Sequence, residues 1–423
     1  MNNTKMQGFM KLTRVDVALK QFFQEIKVES LPVENTPTFD ALGRVLAEDI
    51  VAEVNVPRFD RSAVDGYALS AKGTFGASRL NPVIFDFQGS VEIGSSSKIS
   101  IGTQHTVRIA TGAPIPPGVD SVVMIEDTEK IARDKVEVYK AVTPGENISR
   151  KGEDVKIGEK ILSRGLLLQP QDLGILAALE RSRVNVVRQP RVATLSTGNE
   201  LVELGKSPEE AQIIDSNRPI IMAMVKELGG TPVDLGIVKD DLEEIRSVIA
   251  GGVKTCDLVL VSGGTSVGAG DLVPEAILGL EKSRIIVHGI SIRPGRPSAL
   301  AAVGKKPVVL LPGFPVAAMV SFTALVQPIL TIMLGTTPTQ FQKKTVQAKM
   351  LRRVPSSIGN KTFARVIVTK VGKGYVAEPF RTSGSGVISS MIRANGLVVI
   401  SEDKEGLEEG EEVEITLLRP VEA

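Results

Sequence analysis

Residues 258–280 read LVLVSGGTSVGAGDLVPEAILGL, an apolar run that stops at a glycine-rich loop and continues as a helical pattern. The same unit recurs five times between Arg191 and Val320, with a helix-like stretch usually following the loop. Its loops are STGNEL (196–201), KDD (239–241), SGGTSVGAGD (262–271), RPGRP (293–297) and LPGFPVA (311–317). Alternating strands and helices predict a doubly wound, mostly parallel α/β sheet with helices on both faces. Because ligands bind such sheets at the carboxyl ends of the strands, the five loops predict one shared site.

Bulk composition narrows the classes of function. The chain has 423 residues, enough for about three domains by the usual length prior, and 42% hydrophobic content. Net charge is +1, tryptophan is absent and aromatic residues make up 4%, which argues against nucleic acid as a partner. A single cysteine, Cys256, excludes an internal disulfide, and its place before DLVLV predicts a buried thiol. Two distant histidines make a zinc site or a Ser-His-Asp triad a poor interpretation.

Changes of pattern along the chain divide it into four parts. Residues 12–53 show helical apolar spacing, and 55–143 alternate short apolar runs with turn formers. A second helix is expected from Pro170, packed on the first. We therefore expect a discontinuous helical and linker domain (1–54 with 144–188), an inserted mainly-β domain (55–143), the α/β domain (189–336) and a C-terminal β-barrel or sandwich (337–423). The apolar stretch 316–334 contains Ser, Thr, Gln and Pro and predicts a buried core helix rather than a membrane span; with no signal-peptide pattern, a cytoplasmic location is expected.

Glycines and hydroxyls after the 258–261 run predict a ligand-binding loop. Gly263 and Gly264 allow a tight turn with exposed N–H groups, and Ser266 adds a hydroxyl. Asp271 begins the next helix, where a metal or ligand role and a plain N-cap are equally good interpretations. The GxGxxG and GxxxxGK[ST] patterns are both absent, which disfavours a dinucleotide-binding dehydrogenase and a P-loop NTPase.

Carboxylates and arginines follow several of the predicted strands. Oxygen ligands suit Mg²⁺, although helix caps and surface charge are the alternative for each carboxylate. Arg293 and Arg296 flank a Pro-Gly turn and could bind a tetrahedral oxyanion or simply be solvated. The carboxylates are Glu200, Asp215, Asp240, Asp241 and Asp271.

Polar residues also crowd the β region. VPRFDRSAVDGYALS (56–70) places Asp60, Ser62 and Asp65 among apolar neighbours, and VRIATGAP carries Thr111. Buried polar groups at that density need partners, whereas ordinary turn chemistry is the alternative.

Together these strings resemble the molybdopterin molybdenumtransferase family (MoeA proteins), the molybdenum insertases that include the E domain of gephyrin. The resemblance spans essentially the whole chain. Its motifs occur in the family order: FDRSAVDGYA (59–68), RIATGAP (108–114), KGED (151–154), STGNEL, IIDSN (213–217), KDD, SGGTSVG and RPGRP.

The resemblance implies an elongated homodimer whose active site lies between the sheet domain of one subunit and the β domain of the other. It implies insertion of molybdate or tungstate into adenylylated molybdopterin with Mg²⁺-dependent release of AMP, and as partners a molybdopterin adenylyltransferase and apo-molybdoenzymes or tungstoenzymes. The catalytic residues that it implies are Asp60, Thr111, Asp154, Glu200 and Asp240, with Glu200, Asp240 and Asp271 as metal ligands. Implied molybdopterin or AMP contacts are Ser62, Asp65, Thr197, Gly198, Asp215, Gly263, Gly264, Ser266, Pro312 and Gly313. Implied oxyanion ligands are Arg293, Arg296, Arg365 and Ser385.

Five positions depart from the family pattern, one of which is Arg61, which follows Asp60 in place of a small polar residue. Lysines often stand where this chain has Arg293 and Arg296, and Asn and Ser where it has Phe314 and Ala317. These changes predict a remodelled oxyanion pocket that accepts tungstate as readily as molybdate. Two other functions remain alternatives: an adenylyltransferase that activates molybdopterin, because GAGDLVPEA is similar to that enzyme's motif, and a non-catalytic scaffold of the gephyrin type.

Overall fold

A computed structural model describes residues 12–94, 100–264, 272–381 and 384–421. Two of the expected site residues, Ser266 and Asp271, lie outside the described residues. The fold is multidomain, with a central α/β sheet, a mainly-β part and a C-terminal barrel, as the sequence predicts.

The chain up to Val187 is mostly short strands. Its helices and strands are α1 (Val15–Glu25), β1 (Val33–Pro37), β2 (Ile50–Val51), β3 (Arg61–Ser62), β4 (Gly66–Leu69), β5 (Val83–Val91), β6 (His105–Ile109), β7 (Ser121–Met124), β8 (Thr128–Ala132), β9 (Lys135–Val138), β10 (Ile148–Ser149), β11 (Lys160–Leu162), α2 (Pro170–Ala178) and β12 (Arg183–Val187). Six strands form one sheet in the order β7-β4-β6-β5-β9-β8, and β1–β12, β2–β11 and β3–β10 are separate antiparallel pairs.

The helix expected over residues 12–53 was wrong beyond Glu25. Helix α1 buries Val15, Ala18 and Phe22 at helical spacing, and the chain then becomes extended. Strand β1 pairs with β12, about 150 residues away, so local periodicity could not reveal it. The expected packing of α2 on α1 was also wrong, because α1 packs on the central sheet and α2 belongs to a separate core around Leu46 and Leu168.

The central sheet follows the predicted alternation. Its elements are β13 (Arg191–Thr197), β14 (Leu201–Val202), β15 (Ile213–Ile214), α3 (Asn217–Glu227), β16 (Thr231–Val238), α4 (Leu242–Thr255), β17 (Leu258–Ser262), α5 (Leu272–Leu278), β18 (Ser283–His288), β19 (Ile292–Arg293), β20 (Ala299–Val303), β21 (Lys306–Leu311), α6 (Pro315–Ser321) and α7 (Gln327–Met333). The sheet order is β16-β13-β17-β21-β20-β18, with β14–β15 as a separate pair. Only β20 runs antiparallel to its neighbours, so the other five strands point the same way.

Alternating residues on the strands build two cores. On β17, Leu258 and Leu260 face the layer of α1, α3, α6 and α7, whereas Val259 and Val261 face α4 and α5. All four of these side chains are at most 1% exposed, which explains why the run is apolar throughout. Cys256 is buried in the second core, as predicted.

Residues Pro315–Met333 form one long apolar helix interrupted by a π-helical segment at Phe322–Val326. Pro328 has no backbone N–H to donate to the preceding turn of the helix. The turn before Pro328 is the π-helical one. The helix is long and apolar enough to cross a membrane by length and composition, but 67% of its most apolar window is buried in the protein. It is a core helix, as predicted.

The C-terminal part closes into a barrel. Its elements are β22 (Thr345–Met350), β23 (Val354–Pro355), β24 (Lys361–Val371), β25 (Gly374–Arg381), α8 (Ser389–Arg393), β26 (Gly396–Ile400), β27 (Gly406–Leu407) and β28 (Glu412–Leu417). Neighbouring strands run β24-β25-β22-β28-β26, and β26 pairs again with β24. This second pairing closes a five-stranded barrel and removes its free edges.

Candidate active site

Loops at the carboxyl edge of the central sheet enclose a cleft of about 710 Å³, here called the main cleft. Strands β13, β16, β17 and β21 each end at it, and Gly386 and Ile388 of the C-terminal part complete it. The shared edge predicted from the loops is therefore a real concavity. Its lining residues are Ser196, Thr197, Gly198, Glu200, Leu201, Ile213, Ile214, Asp215, Ser216, Asn217, Asp240, Ser262, Gly263, Gly264, Pro297, Pro312, Gly313, Phe314, Pro315, Gly386 and Ile388.

Glycine is required where the strand ends meet. Gly263 has φ +95°, and a Cβ there would lie 2.4 Å from the carbonyl oxygen of Thr197. A Cβ on Gly264 would lie 2.8 Å from Cγ2 of Val273 and 3.0 Å from Oγ1 of Thr197. Gly263 and Gly264 therefore line the cleft with backbone rather than with side chains.

Several buried polar atoms at the main cleft lack a hydrogen bond within the described part of the chain. They are Ser196 Oγ, Thr197 Oγ1, Asp215 Oδ2 and Asn217 Oδ1, on residues at most 7% exposed. Asn217 is held by its other atom, since Nδ2 donates to Ser262 Oγ at 2.7 Å and to the carbonyl oxygen of Gly313 at 2.8 Å. A buried polar atom without a partner costs about 1–3 kcal/mol, so such a group marks a place where a ligand can bind.

The described carboxylates that were expected to be ligands divide into two kinds. Asp215 Oδ1 accepts from the backbone N–H groups of Asn217 and Arg218, and Asp241 accepts from Glu244 N at 2.8 Å, so both cap helices. Glu200 and Asp240 are exposed and line the main cleft. Asp240 is oriented by the N–H of Asn199 at 3.2 Å.

Glu200 and Asp240 could hold a cation at the main cleft. Carboxylate oxygens are the ligands that Mg²⁺ prefers, and Mg²⁺ usually keeps several waters, so two carboxylates at one cleft fit this ion. Within 12–94, 100–264, 272–381 and 384–421 there is no cluster of three or more His, Cys, Asp or Glu residues that could hold a metal.

Arginines line a neighbouring cleft of about 450 Å³, here called the arginine cleft. It contains Arg293, Arg296, Arg365 and Ser385, and Arg365 is only 1% exposed. Gly295, between the first two arginines, has φ +133°, and a Cβ there would lie 2.5 Å from Ser321 Oγ. Pro297, Pro312 and Phe314 line both clefts, so the two adjoin.

Residues 59–66, 111–114 and 149–153 form a separate cluster of hydrogen-bonded residues. This hydrogen-bonded cluster is here called the β-domain knot. Asp60 accepts from Arg150 Nη1 and from Lys151 N, both at 2.8 Å, and Asp65 accepts from Thr111 N at 2.7 Å and Thr111 Oγ1 at 3.0 Å. The Lys151 N–H and the Arg150 side chain lower the pKa of Asp60, and the two Thr111 donors lower the pKa of Asp65. Both side chains are thus ionised and held in place.

Three family models match consecutive parts of the chain. They are the MoeA N-terminal region, domains I and II, at residues 13–179, a "Probable molybdopterin binding domain" at 193–331, and the MoeA C-terminal region, domain IV, at 347–418. A molybdopterin molybdenumtransferase of Staphylococcus aureus is 33% identical over 96% of this chain and 96% of its own length. The chain belongs to the molybdopterin molybdenumtransferase family.

Other molybdopterin molybdenumtransferases and a solved structure agree with this assignment. The Bacillus subtilis enzyme is 33% identical over 90% of this chain and 88% of its own length. A crystal structure of the molybdopterin biosynthesis moeA protein from Pyrococcus horikoshii superposes with a TM-score of 0.80 at 34% identity, covering 96% of this chain and 100% of that one. The chain is therefore an enzyme of molybdenum cofactor biosynthesis, and the resemblance read from its motifs is confirmed.

The expected site residues of this molybdenumtransferase fall into three places. The main cleft collects Thr197, Gly198, Glu200, Asp215, Asp240, Gly263, Gly264, Pro312 and Gly313. The arginine cleft collects Arg293, Arg296, Arg365 and Ser385. Asp60, Ser62, Asp65, Thr111 and Asp154 line neither cleft and lie in or beside the β-domain knot.

Sequence reasoning missed the part that Asn217 plays. The side chain of Asn217 connects Ser262 at the end of β17 to Gly313 after β21, and it was not among the expected site residues. The only signal in the sequence was the IIDSN string, which contains Asn217. In the structure Asn217 is only 7% exposed. The apolar lining residues Ile213, Ile214 and Ile388 had no such signal.

Proposed function

We propose that this molybdenumtransferase inserts molybdate or tungstate into adenylylated molybdopterin and releases AMP in an Mg²⁺-dependent reaction. The observation that carries this proposal is the contact between the two clefts. The main cleft offers carboxylates, exposed backbone and buried hydroxyls without a partner among the described residues, and the arginine cleft offers guanidinium groups. The phosphoanhydride of one substrate needs the groups of the main cleft, and the tetrahedral dianion that is the other substrate needs the arginines.

In the main cleft, Glu200 and Asp240 would hold Mg²⁺, with Asp271 as a proposed third ligand from outside the described residues. Bound there, Mg²⁺ would neutralise charge on the phosphoanhydride oxygens. Hydrolysis breaks one P–O bond, and water supplies the oxygen that completes the second phosphate. Ser196, Thr197 and Asn217 carry buried polar atoms that can bind the substrate's polar groups and orient it.

In the arginine cleft, planar guanidinium groups suit a tetrahedral oxyanion because each can donate two parallel hydrogen bonds. Arg293, Arg296 and Arg365 would hold molybdate or tungstate beside the pterin, with Ser385 at the rim. Ala317 also lines this cleft and offers no hydroxyl, which supports our proposal that tungstate is accepted as readily as molybdate.

The β-domain knot supports a homodimeric enzyme. Asp60, Thr111 and Asp154 line neither cleft of their own subunit, so we propose that they meet the clefts of a second copy. An oriented, ionised Asp60 is suited to act on a neighbouring subunit's substrate. We further propose a cytoplasmic enzyme that receives substrate from a molybdopterin adenylyltransferase and delivers cofactor to apo-molybdoenzymes or tungstoenzymes.

The decisive experiment incubates the pure protein with adenylylated molybdopterin, Mg²⁺ and either molybdate or tungstate. AMP release together with a metal-loaded cofactor is the expected result, at comparable rates for the two oxyanions. A strong preference for molybdate would remove the tungstate proposal alone. Tight binding without turnover would favour a scaffold, and ATP-dependent adenylylation of molybdopterin would favour the adenylyltransferase.

A further inference from the structure

Phe314 stands at the boundary between the main cleft and the arginine cleft. It lines both, and 62% of it is exposed although it is a large apolar residue. Among the described residues that line the two clefts, it is the only aromatic one. A phenyl ring that is exposed to water inside a polar cleft is unfavourable in free energy. Covering the ring with a flat apolar surface is therefore favourable.

The backbone around Phe314 holds the ring at this boundary. Phe314 precedes α6 in an extended conformation, with Pro312 and Pro315 close by in sequence. The N–H of Val316 donates to the carbonyl oxygen of Ser385 at 3.1 Å, which fastens the start of α6 to the C-terminal part.

Gly386 lies against the ring. A Cβ on this glycine would come within 3.1 Å of Phe314 Cδ1 and 3.3 Å of Cε1, so the absence of a side chain lets the ring and the 384–388 backbone approach. The ring is therefore supported on one side and exposed on another, as a stacking surface requires.

We propose that Phe314 stacks on a planar nitrogen heterocycle of the substrate and thereby sets the position of that substrate across the two clefts. This inference rests on the proposed function, because adenylylated molybdopterin carries two such rings, adenine and the pterin. Both have the same stacking chemistry. The exposed side chain of Ile213 lines the main cleft as well and adds apolar surface for the same ring.

Binding of fragments tests the proposal without requiring turnover. The full-length protein would be titrated by calorimetry with AMP, with 6-hydroxymethylpterin, and with ribose 5-phosphate, which has a phosphate but no ring. We expect Phe314→Ala to weaken binding of AMP or of the pterin by roughly five- to one-hundredfold, the usual range for loss of one aromatic stack. Binding of ribose 5-phosphate should not change. The ring-bearing probe that responds identifies which heterocycle stacks.

Two further variants separate stacking from apolar volume. Phe314→Tyr should keep the wild-type affinity, whereas Phe314→Leu, which retains an apolar contact with Gly386, should bind as weakly as Phe314→Ala. Phe39→Ala is the matched control, because Phe39 is 95% exposed and lines neither cleft.

Four results would overturn the inference: unchanged affinity for both ring-bearing probes in Phe314→Ala, an equal loss for ribose 5-phosphate, full affinity in Phe314→Leu, or a wild-type protein that binds neither ring. Failure of the proposed function looks different. In that case the ring-dependent loss would persist while the wild-type protein released no AMP from adenylylated molybdopterin.

Discussion

The main cleft and the β-domain knot are both rich in polar residues, but they satisfy them differently. In the knot, Asp60 and Asp65 accept hydrogen bonds from groups of the same chain. In the cleft, Ser196, Thr197 and Asn217 keep buried polar atoms without a protein partner among the described residues. A polar group that is already bonded is held in place by the fold, whereas an unbonded buried one favours a bound ligand. The density of polar residues in a sequence therefore does not tell these two cases apart.

The largest effect on activity is expected from Glu200→Gln. Removing one of the two exposed cleft carboxylates, Glu200 and Asp240, should raise the Mg²⁺ concentration for half-maximal AMP release by roughly ten- to a hundredfold, because Mg²⁺ affinity depends on ligand charge. A Mg²⁺ titration of AMP release measures this. Glu210→Gln, exposed in the same loop region and outside both clefts, is the control. An unchanged Mg²⁺ requirement in Glu200→Gln would contradict the cation site.

Gly263→Ala should destabilise the protein by about 3 kcal/mol, because it adds a positive-φ penalty and a contact with the Thr197 carbonyl oxygen. Gly304→Ala is matched in having a positive φ, +58°, but a Cβ there would meet nothing within 4 Å. We expect Gly304→Ala to lower the free energy of unfolding by only about 1 kcal/mol. Urea unfolding of both variants measures the difference. Equal losses would mean that the close approach at the cleft is not a constraint.

Arg218→Met tests the wall of the main cleft at Asp215, where the side chains form ion pairs with each other. Arg218 forms ion pairs with Glu203, Asp215 and Asp234, and its side chain is 9% exposed. Loss of the guanidinium leaves Asp215, at 3% exposure, without its ion pair, so the free energy of unfolding should fall by about 2 kcal/mol. Arg352→Met removes an exposed ion pair with Glu378. It should change the free energy of unfolding by at most about 0.5 kcal/mol. If the two losses were the same size, Arg218 would have no special role in holding the cleft wall.

The smallest effect is expected in the knot, and it depends on pH. The pKa of Asp60 is lowered from 3.8 in the folded protein, so its contribution to stability is present above 3.8 and is lost as pH falls through the lower folded-state value. Because 37% of the Asp60 side chain is exposed, Asp60→Asn should cost only about 0.5–1 kcal/mol at neutral pH. The difference from wild type should vanish in strong acid. Asp134→Asn, an exposed site in the same part of the chain, is the control for unfolding measured across this range. A difference that persisted in strong acid would show that the ionised Asp60 is not its source.

The central sheet could be predicted because its signals are local. Runs such as LVLV are buried on both faces, and each ends at a glycine or an acid, so periodicity alone identifies strands and loops. The carboxyl ends of strands that run in one direction meet at one edge, and this geometric rule carried the prediction to the main cleft for four of the five loops. For the fifth loop, RPGRP, the prediction was wrong, because it follows β19, which pairs with β24 of the barrel, and most of it lines the arginine cleft.

Pairings between distant segments could not be predicted in the same way. The extended segment Val33–Pro37 has no stabilising partner until Arg183–Val187 lies beside it, and Asp60 meets Arg150 across 90 positions of sequence. The barrel likewise depends on the second pairing of β24 with β26. Chain distance carries no information about such contacts, which form only when the tertiary structure brings the segments together.

The sequence by itself determined the family, the α/β architecture and the set of polar loops, because motifs and periodicity are written in neighbouring residues. Only the tertiary structure decided which of those polar groups are hydrogen-bonded within the described part of the protein and which have no partner there. It also placed Phe314 between the two clefts, although the sequence shows only a phenylalanine between a glycine and a proline. The physical reason is that hydrogen-bond satisfaction and exposure are properties of three-dimensional surroundings, and residues far apart in the chain supply most of them.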